Sequence, residues 1–394
     1  MRFFATCAKG TEGALRRELA GLHLAAVKGD RGGVSFEGEL AHGMRACLHA
    51  RTAMRVLLEL GRFEAPDEGA LYEGVRALAW EEWLTVRTTL AVEATVGGSA
   101  ITHSGFAALK VKDAAVDVLR ERLGARPDVD AKDPDVRIVL HLHRDAAALS
   151  LDLAGAPLHR RGYRAVTTEA PLKETLGAAV LLLGGVAPGL PFVDPMAGSG
   201  TLAIEHALRA RHVAPGLSRA FGFQRWPAYR GGPQSAWDRL RAEARAAVLP
   251  RAPAPIVARD GHPKAIEALR RNVAAAGLEA DVEISKADAR DLAPIAAEGT
   301  LCSNPPYGER LGAGAPPGHR TRGDAPPPPD PVATKKLAGF YRGLAEMLDR
   351  HAGWSAVLLS GNPLLQRAIP RKPEIDHRLW NGPLEVHLLR YQLR

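Results

Sequence analysis

The feature that most limits the fold of this 394-residue chain is a repeated order of apolar strand and helix in its second half. After residue 165 the segments read "KETLGAAVLLLGG", "PFVDPMAGSGTLAIEHALRA", "PIVARDGHPKAIEALRRNVAAAGL", "DVEISKADARDL" and "TLCSNPPYGER". Short strands that alternate with helices are typical of βαβ units, which place parallel strands in one doubly wound sheet. We therefore predict an α/β domain with a mostly parallel, doubly wound sheet over residues 166–394.

The first 165 residues lack this regularity and predict α+β modules. A strand-like start, "RFFATCAKG", precedes a helix with three leucines on one face, Leu15, Leu19 and Leu22. Further along, "RIVLHLHRDAAALSLDL" alternates on both sides of Arg144 and Asp145, which predicts a half-buried hairpin that turns at these two residues. We predict one small unit over residues 1–55 and a second over residues 56–165.

The formal charge of +8 and the isoelectric point near 9.6 indicate a polyanionic partner. Most of the excess lies in the second half, since residues 1–165 carry 23 lysines and arginines against 22 acidic residues. Residues 206–255 carry nine arginines and two acids, with Trp226, Tyr229 and Trp237 among them. Arginines mixed with aromatic rings suit phosphates and unstacked bases, and the alternative is an arginine-rich solvated surface.

Cysteine usage and hydropathy narrow the class of protein further. Cys7, Cys47 and Cys302 stand far apart, which predicts neither a disulfide framework nor a zinc or iron–sulfur site, so we expect no metal. The chain has no run of about 18 uncharged apolar residues, and "MRFFATCAKG" lacks the features of a secretory signal. We expect a monomeric cytoplasmic protein that does not bind a membrane.

The stretch "FVDPMAGSGTLAIEHAL" places a glycine turn between a strand and a helix. Gly198, Gly200 and Ala203 fit the G-x-G-x-x-G/A fingerprint, in which a ligand approaches the backbone at the helix N-terminus. The turn alone does not separate NAD from S-adenosylmethionine. Asp194 favours the latter, because a carboxylate repels a pyrophosphate and attracts the α-amino group of a methionine moiety.

Further polar residues follow at predicted strand ends. Asp260 ends the next strand, where a carboxylate can accept the ribose hydroxyls, and Asp288 ends another within possible reach of an adenine amino group. Asn304 ends a fourth strand in the stretch "SNPPYGER". Pro305 and Pro306 fix φ near about −65° and lack an N–H, so they stiffen the backbone beside Asn304. Three acids and an amide at successive strand ends predict one site.

These stretches together resemble the THUMP-domain RNA guanine-N2 methyltransferases, and the similarity covers nearly the whole chain, most closely following the N-terminal half of the large-subunit rRNA members. It rests on "ATCAKGTEGALRREL", "LDLAGAPLHRRGYR", "APLKETLGAAV", "DPMAGSGTLAIEHAL", "NPPYGERLG" and "NGPLEVHLLRY". The resemblance implies a ferredoxin-like unit over 1–55, a THUMP RNA-binding module over 56–165 and a Rossmann-like class I methyltransferase domain over 166–394. It also implies that S-adenosylmethionine is the cofactor.

The resemblance further implies roles for particular residues. Asn304 and Pro305 would accept the two hydrogens of the target amine, Pro306 would keep these acceptors rigid, and Tyr307 would stack on the base. The implied cofactor-binding residues are Asp194, Gly198, Gly200, Thr201, Asp260 and Asp288. The RNA contacts predicted from the "LHRRGYR" motif and the arginine-rich segment are Arg160, Arg161, Arg164, Arg219 and Arg225.

The implied substrate is a guanosine in structured RNA, methylated at N2 in 23S rRNA, with a tRNA guanine-N2 methyltransferase of the same architecture as the alternative. A non-catalytic RNA-binding assembly factor is more remote. An NAD oxidoreductase would leave Asn304 and Tyr307 without a role, and Asp260 lies 60 residues after Gly200 instead of the usual distance of about 20. The tract "GAGAPPGHRTRGDAPPPPDP", residues 312–331, predicts a disordered insertion.

Overall fold

Two sheets of seven strands each organise the described part of the chain. The computed structural model describes residues 1–166, 172–308 and 331–394. The insertion predicted at 312–331 lies outside these residues except for Pro331. None of the described helices is long and apolar enough to cross a membrane.

The chain divides into two compact units. The first unit comprises residues 1–161 and 213–248, and the second comprises residues 162–212 and 249–394. The helices of the described residues are α1 (Glu12–Gly21), α2 (Leu40–His49), α3 (Glu68–Arg76), α4 (Ser104–Leu123), α5 (Glu174–Leu183), α6 (Thr201–Ala210), α7 (Gly232–Ala246), α8 (Pro263–Ala275), α9 (Pro331–Asp349) and α10 (Pro363–Ala368).

The sheet of the first unit is continuous through both predicted N-terminal modules. Its strands are β1 (Arg2–Thr6), β2 (Ala25–Asp30), β3 (Gly33–Glu37), β4 (Arg55–Glu64), β5 (Leu90–Gly97), β6 (Val136–His143) and β7 (Ala146–Asp152). They run in the order β2-β3-β1-β4-β7-β6-β5, and only β5 and β6 are parallel. Strand β4 pairs with β1 on one edge and with β7 on the other. It therefore joins the two modules whose boundary was predicted near residue 55.

The hairpin predicted around Arg144 and Asp145 is confirmed. Strands β6 and β7 are antiparallel, with Leu140 opposite Leu149, and the alternate apolar side chains are buried. The two turn residues have φ of 51° and 61°. A two-residue turn with φ positive at both positions matches the right-handed twist of its strands, which explains how so short a connection is made.

The sheet of the second unit confirms the predicted fold class. Its strands are β8 (Phe192–Asp194), β9 (Ile256–Asp260), β10 (Val282–Lys286), β11 (Thr300–Ser303), β12 (Ser355–Ser360), β13 (Ile375–Asn381) and β14 (Leu384–Gln392). The order is β10-β9-β8-β11-β12-β14-β13, with the first five strands parallel and the last two antiparallel to their neighbours. Strands β8 and β11 are buried throughout, as expected of strands covered on both faces.

Residues 213–248 leave the second unit after α6 and belong to the first. The Trp226 ring meets Trp83 edge-on at 5.7 Å, and the Trp237 ring meets Phe223 at 5.0 Å. Trp226, Tyr229 and Trp237 are all buried in the core of the first unit. The expectation that these rings could stack on RNA bases is therefore wrong, because hydrophobic packing already occupies their faces.

His206 is a buried polar residue in the second unit. It lies on α6 with its ring stacked on Phe192 of β8 at 4.1 Å, and neither ring nitrogen has a hydrogen-bond partner among the described residues. Burial lowers the pKa of the imidazole to about 3, with a smaller effect from Arg209. Since the unfolded imidazole has a pKa of 6.5, only the unfolded state binds a proton between these values, and stability falls as the pH falls through this window.

We predict that His206→Leu, a substitution of similar volume, makes the second unit more stable than wild type, and increasingly so at lower pH. The difference should grow by about 2 kcal/mol between pH 7 and pH 5, because wild type alone loses stability by charging this group in the unfolded state. Urea denaturation of both proteins at each pH measures it. A difference that stays constant with pH would contradict the assignment.

Candidate active site

The four strand-end residues singled out in the sequence lie on four adjacent strands. Asp288, Asp260, Asp194 and Asn304 follow or end β10, β9, β8 and β11, in that spatial order. Because these strands are parallel, all four residues lie at the carboxyl edge of the sheet. The chain order reverses between β8 and β11, and ligands of open α/β sheets bind at such a switch point.

A hydrogen bond joins the two strands at this point. Ser303 donates its hydroxyl to Asp194 Oδ1 over 2.6 Å, and the Met196 N–H donates to the same oxygen over 3.2 Å. Asp194 is 1% exposed, and burial raises the pKa of its carboxyl to about 7, although both hydrogen bonds act in the opposite direction. Ser303 received no role in the sequence analysis, because a serine at the end of a strand carries no distinctive signal.

The glycine turn has the backbone conformation that its sequence predicts. Gly198 and Gly200 have φ of 55° and 91°, the left-handed region that glycine adopts without strain. A Cβ on Gly200 would lie 2.4 Å from Leu269, whereas one on Gly198 would meet no atom within 4 Å. Gly200 therefore permits packing between helices, while the space over Gly198 is open to a ligand.

Asp260 fixes the glycine turn to the neighbouring strand. Its Oδ2 accepts the Gly198 N–H at 2.9 Å, and its Oδ1 accepts the His262 N–H at 2.8 Å. Each carboxylate oxygen has two lone pairs, so both can accept a further hydrogen bond from a ligand hydroxyl. Asp260 is thus both a structural link and a candidate ribose acceptor.

Asp288 has a competing partner within the chain. Arg290 forks onto its carboxylate, with Nε to Oδ1 at 2.9 Å and Nη2 to Oδ2 at 2.6 Å. The hydrogen bonds from the Arg290 side chain lower the pKa of Asp288. An adenine amino group that binds Asp288 would share this acceptor with the guanidinium.

The asparagine–proline stretch contains an internal hydrogen bond made by its own tyrosine. The Tyr307 hydroxyl donates to Asn304 Oδ1 over 2.5 Å, while Tyr341 donates its hydroxyl to the Pro306 carbonyl. Asn362 donates through Nδ2 to the Tyr307 carbonyl over 2.9 Å. Two side chains from outside the motif thus hold its backbone, and neither was identified from the sequence.

Arg164 and Thr201 make hydrogen bonds that hold the glycine turn in place. The guanidinium of Arg164 reaches Glu174 at 2.8 Å, Ser199 Oγ at 3.1 Å and Thr201 Oγ1 at 3.0 Å. It also donates to the Leu172 carbonyl at 3.0 Å. These contacts explain why the "RRGYR" and "KET" stretches occur with the glycine turn: one charged fork ties the three together.

Asn272 of α8 holds the same turn from another side. Its Nδ2 donates to the Ser199 carbonyl at 2.9 Å and to the Val166 carbonyl at 3.1 Å, and its Oδ1 accepts the Val166 N–H at 3.0 Å. It is fully buried. The stretch "RRNVAAAGL" predicts only a helix, whereas the role of its asparagine depends on a contact with a residue 73 positions away in the sequence.

Three of the other arginines predicted to bind RNA also contact the protein itself. Arg161 is buried and donates to the Arg51 carbonyl at 2.5 Å, and Arg219 donates to the Pro157 carbonyl at 2.8 Å and to several neighbouring carbonyls. Arg225 forks onto Asp133 at 2.9 and 3.0 Å. Arg160 is exposed. The structure assigns internal contacts to Arg161, Arg219 and Arg225, and contact of any of these arginines with RNA stays a prediction.

The polar groups of this site suit an organic cofactor that carries a positive charge better than they suit a metal ion. Within the described residues, no group of three histidine, cysteine, aspartate or glutamate side chains is arranged to hold a metal. The site instead offers open space over Gly198, a buried carboxyl at Asp194 and an accepting carboxylate at Asp260. These suit a small ligand with an ammonium group and hydroxyls.

Comparison with known families gives matches along most of the chain. Residues 2–57 match the RlmL ferredoxin-like domain, residues 65–152 match the THUMP domain, and residues 161–316 match the RMKL-like methyltransferase domain. The gap between the two N-terminal matches, residues 58–64, lies within β4, the strand that the two modules share.

Curated relatives match over the whole chain. The chain is 43% identical over 406 residues to the ribosomal RNA large subunit methyltransferase K/L of Syntrophotalea carbinolica, covering 100% of this chain and 54% of that protein. It is 42% identical to the protein of the same name from Methylococcus capsulatus, covering 99% and 51%. The chain thus spans about half the length of these relatives.

Solved structures share the fold of both units. SMU.472, crystallised in complex with SAH, has a TM-score of 0.87 and 30% identity, covering 100% of this chain and 98% of that one. A structure described as a predicted N6-adenine-specific DNA methylase from Listeria monocytogenes has a TM-score of 0.85 and 28% identity, covering 100% and 96%.

Arg164 and Arg160 provide a matched pair for testing structural against RNA-binding roles. We predict that Arg164→Met lowers the free energy of unfolding of the second unit by about 3–5 kcal/mol, because it leaves the buried Glu174 carboxylate unpaired. Arg160→Met, at an exposed position four residues away in the first unit, should change the stability of the protein by less than about 0.5 kcal/mol. Urea denaturation compares the variants.

Adding Glu174→Gln to Arg164→Met should recover part of the lost stability, since the unpaired charge is then gone. An Arg164→Met variant that folds as well as wild type and only binds RNA more weakly would support the role predicted from the motif instead.

Proposed function

The chain belongs to the THUMP-containing class I methyltransferases with an RlmL-type ferredoxin-like domain, and from this we propose that it methylates the exocyclic N2 of a guanosine in 23S rRNA. The methyl donor is S-adenosylmethionine. The observation that carries the proposal is the direct link, Ser303 to Asp194 at 2.6 Å, between the asparagine–proline motif and the glycine-turn strand. It joins the residues that we propose to hold the target amine to a residue that we propose to hold the cofactor.

The cofactor would be held by residues of the glycine turn and its neighbours. Asp194 would accept the α-ammonium group, Asp260 the ribose hydroxyls, and Asp288 the adenine amino group. Gly198 would give the ligand access to the backbone, since its Cβ position is open. When bound, S-adenosylmethionine supplies a methyl group activated by its positive sulfur. The remaining work of the protein is to hold and orient the amine.

Asn304 is suited to orient the target amine. The lone pair of an exocyclic guanine amine is delocalised into the ring, so its reaction depends on geometry more than on a strong base. An amide oxygen has two lone pairs, and the Tyr307 hydroxyl uses one of those on Asn304 Oδ1. The second can accept one amine hydrogen, and the Pro305 carbonyl can accept the other.

This arrangement needs no general base at the amine. Fixing two N–H directions points the nitrogen lone pair at the methyl group, and such positioning is worth several kcal/mol of barrier. The methylated nitrogen is cationic and acidic, so its extra proton can pass to water. The base must leave its stack to enter, at a cost of a few kcal/mol, which favours a nucleotide in a loop or junction.

The choice of ribosomal RNA rests on the two curated relatives, which are named for the large ribosomal subunit. The THUMP match over residues 65–152 supports an RNA substrate in general. A tRNA guanosine remains the alternative, because the architecture and the amine chemistry are the same for either RNA.

We predict that deleting the gene removes N2-methylguanosine from 23S rRNA and leaves tRNA unchanged. Mass spectrometry of nucleosides from separately purified rRNA and tRNA measures both, before and after complementation with wild type. Loss from tRNA alone would replace the rRNA substrate with the alternative, and no loss from either RNA would contradict the proposed reaction.

Asn304→Ala should fail to restore the modification and should reduce turnover in vitro by more than about tenfold, a loss above 1.4 kcal/mol, because one acceptor of the amine is gone. Calorimetric binding of S-adenosylhomocysteine should stay near wild type. Asn381→Ala, a different asparagine of the second unit, is the matched control and should be fully active.

The raised pKa of Asp194 predicts pH-dependent cofactor binding. Below its pKa of about 7 the carboxyl is neutral and attracts the α-ammonium weakly, so affinity for S-adenosylhomocysteine should fall up to tenfold per unit as pH drops from 7 to 6. Asp194→Asn should bind weakly with no such dependence. Ser303→Ala, which removes a hydrogen bond that stabilises the charged form, should move the midpoint to higher pH; an unmoved midpoint would argue against this role.

A further inference from the structure

We propose that Gly361 and Asn362, in the turn between β12 and α10, are positioning residues that set Tyr307 and, through it, the amine acceptor Asn304. The inference rests on the proposed function and adds residues outside the asparagine–proline motif. No sequence signal marked this turn, which follows the last parallel strand of the sheet.

Asn362 uses both ends of its side-chain amide in hydrogen bonds. Its Oδ1 accepts the Leu364 N–H at 3.0 Å, which caps the start of α10, and its Nδ2 donates to the Tyr307 carbonyl at 2.9 Å. Ser360 donates its hydroxyl to the Asn362 carbonyl at 2.9 Å and restrains the same turn. Because the capping contact fixes the amide plane, the donating end is aimed at Tyr307.

Gly361 provides the surface on which the Tyr307 ring lies. A Cβ on Gly361 would fall 2.6 Å from Cδ2 and Cγ of that ring and 2.9 Å from Cε2. A Cβ atom does not approach non-bonded atoms this closely, so any larger residue must displace the ring. The glycine is needed here for close approach, since its φ does not lie in the left-handed region.

The position of the ring then determines the state of Asn304. The Tyr307 hydroxyl donates to Asn304 Oδ1 over 2.5 Å, which turns the carbonyl end of that amide toward the ring. A shifted ring breaks this hydrogen bond and frees the amide to rotate, so that its NH₂ group can face the target amine and repel it. Gly361 thus sets the position of the Tyr307 ring, and the hydroxyl on that ring sets the orientation of the Asn304 amide.

Substitutions at Asn362 separate capping from positioning. Asn362→Ser retains an acceptor for the Leu364 N–H but cannot reach the Tyr307 carbonyl as a donor, and Asn362→Ala loses both contacts. We expect both variants to lower kcat for methylation of unmodified 23S rRNA about tenfold, the effect of one lost hydrogen bond, with unchanged binding of S-adenosylhomocysteine. Only Asn362→Ala should be less stable to urea. A serine variant with wild-type kcat would show that Asn362 only caps α10, and would contradict its positioning role.

Gly361→Ala is tested in a double-mutant cycle with Tyr307→Ala. Alone, Gly361→Ala should lower kcat at least tenfold; combined with Tyr307→Ala it should add no further loss, because the ring it displaces is absent. Gly189→Ala is the control, since its Cβ would meet no atom within 4 Å. Independent losses that add in the double variant would overturn the proposal.

A spectroscopic measurement tests the contact without depending on activity. In protein labelled with 3-fluorotyrosine, the ¹⁹F resonance of Tyr307 is the one that Tyr307→Phe removes. Gly361→Ala should shift or broaden this resonance, and Gly189→Ala should leave it unchanged. An unmoved resonance in Gly361→Ala overturns the proposal, whereas a shifted resonance in a protein whose wild type methylates no RNA would separate failure of the proposed function from failure of this inference.

Discussion

The fork of Arg164 is the contact on which the candidate site most depends. One guanidinium bridges a buried carboxylate, the hydroxyls of Ser199 and Thr201, and the Leu172 carbonyl. A charge is expensive to bury, and it is tolerated here because each of the three guanidinium nitrogens donates to at least one acceptor. The glycine turn is therefore held in place by polar contacts whose geometry is strict, and the backbone at Gly198 inherits that rigidity.

Features that depend on local pattern were predicted well from the sequence. The parallel sheet, the β6–β7 hairpin and the strand-end positions of Asp194, Asp260, Asp288 and Asn304 follow from periodicity and turn chemistry. Parallel strands bring their carboxyl ends to one edge whatever their order in the sheet. The position of these four residues along one edge of the sheet, although they are far apart in the chain, could thus be predicted from the sequence.

Features that depend on the partner of a side chain were not predictable in this way. Ser303, Asn272 and Asn362 are ordinary polar residues, and their roles come from carbonyls and carboxylates distant in sequence. The expectation that the aromatic rings of the arginine-rich segment stack on RNA bases is wrong for a related reason. The composition of that segment suits an RNA surface, but Arg219 and Arg225 are used internally and the aromatic rings are buried, because composition does not specify which face of a segment points inward.

The discontinuity of the first unit has a consequence for its synthesis on the ribosome. Trp226 and Trp237 contribute to a core whose other members lie mainly before residue 161. At roughly 5–20 residues per second, the amino-terminal portion spends several seconds outside the exit tunnel before residue 248 is made. During that interval its nascent core is incomplete and exposes apolar surface. Chaperone binding to translating ribosomes should therefore peak in this window and decline once α7 has emerged.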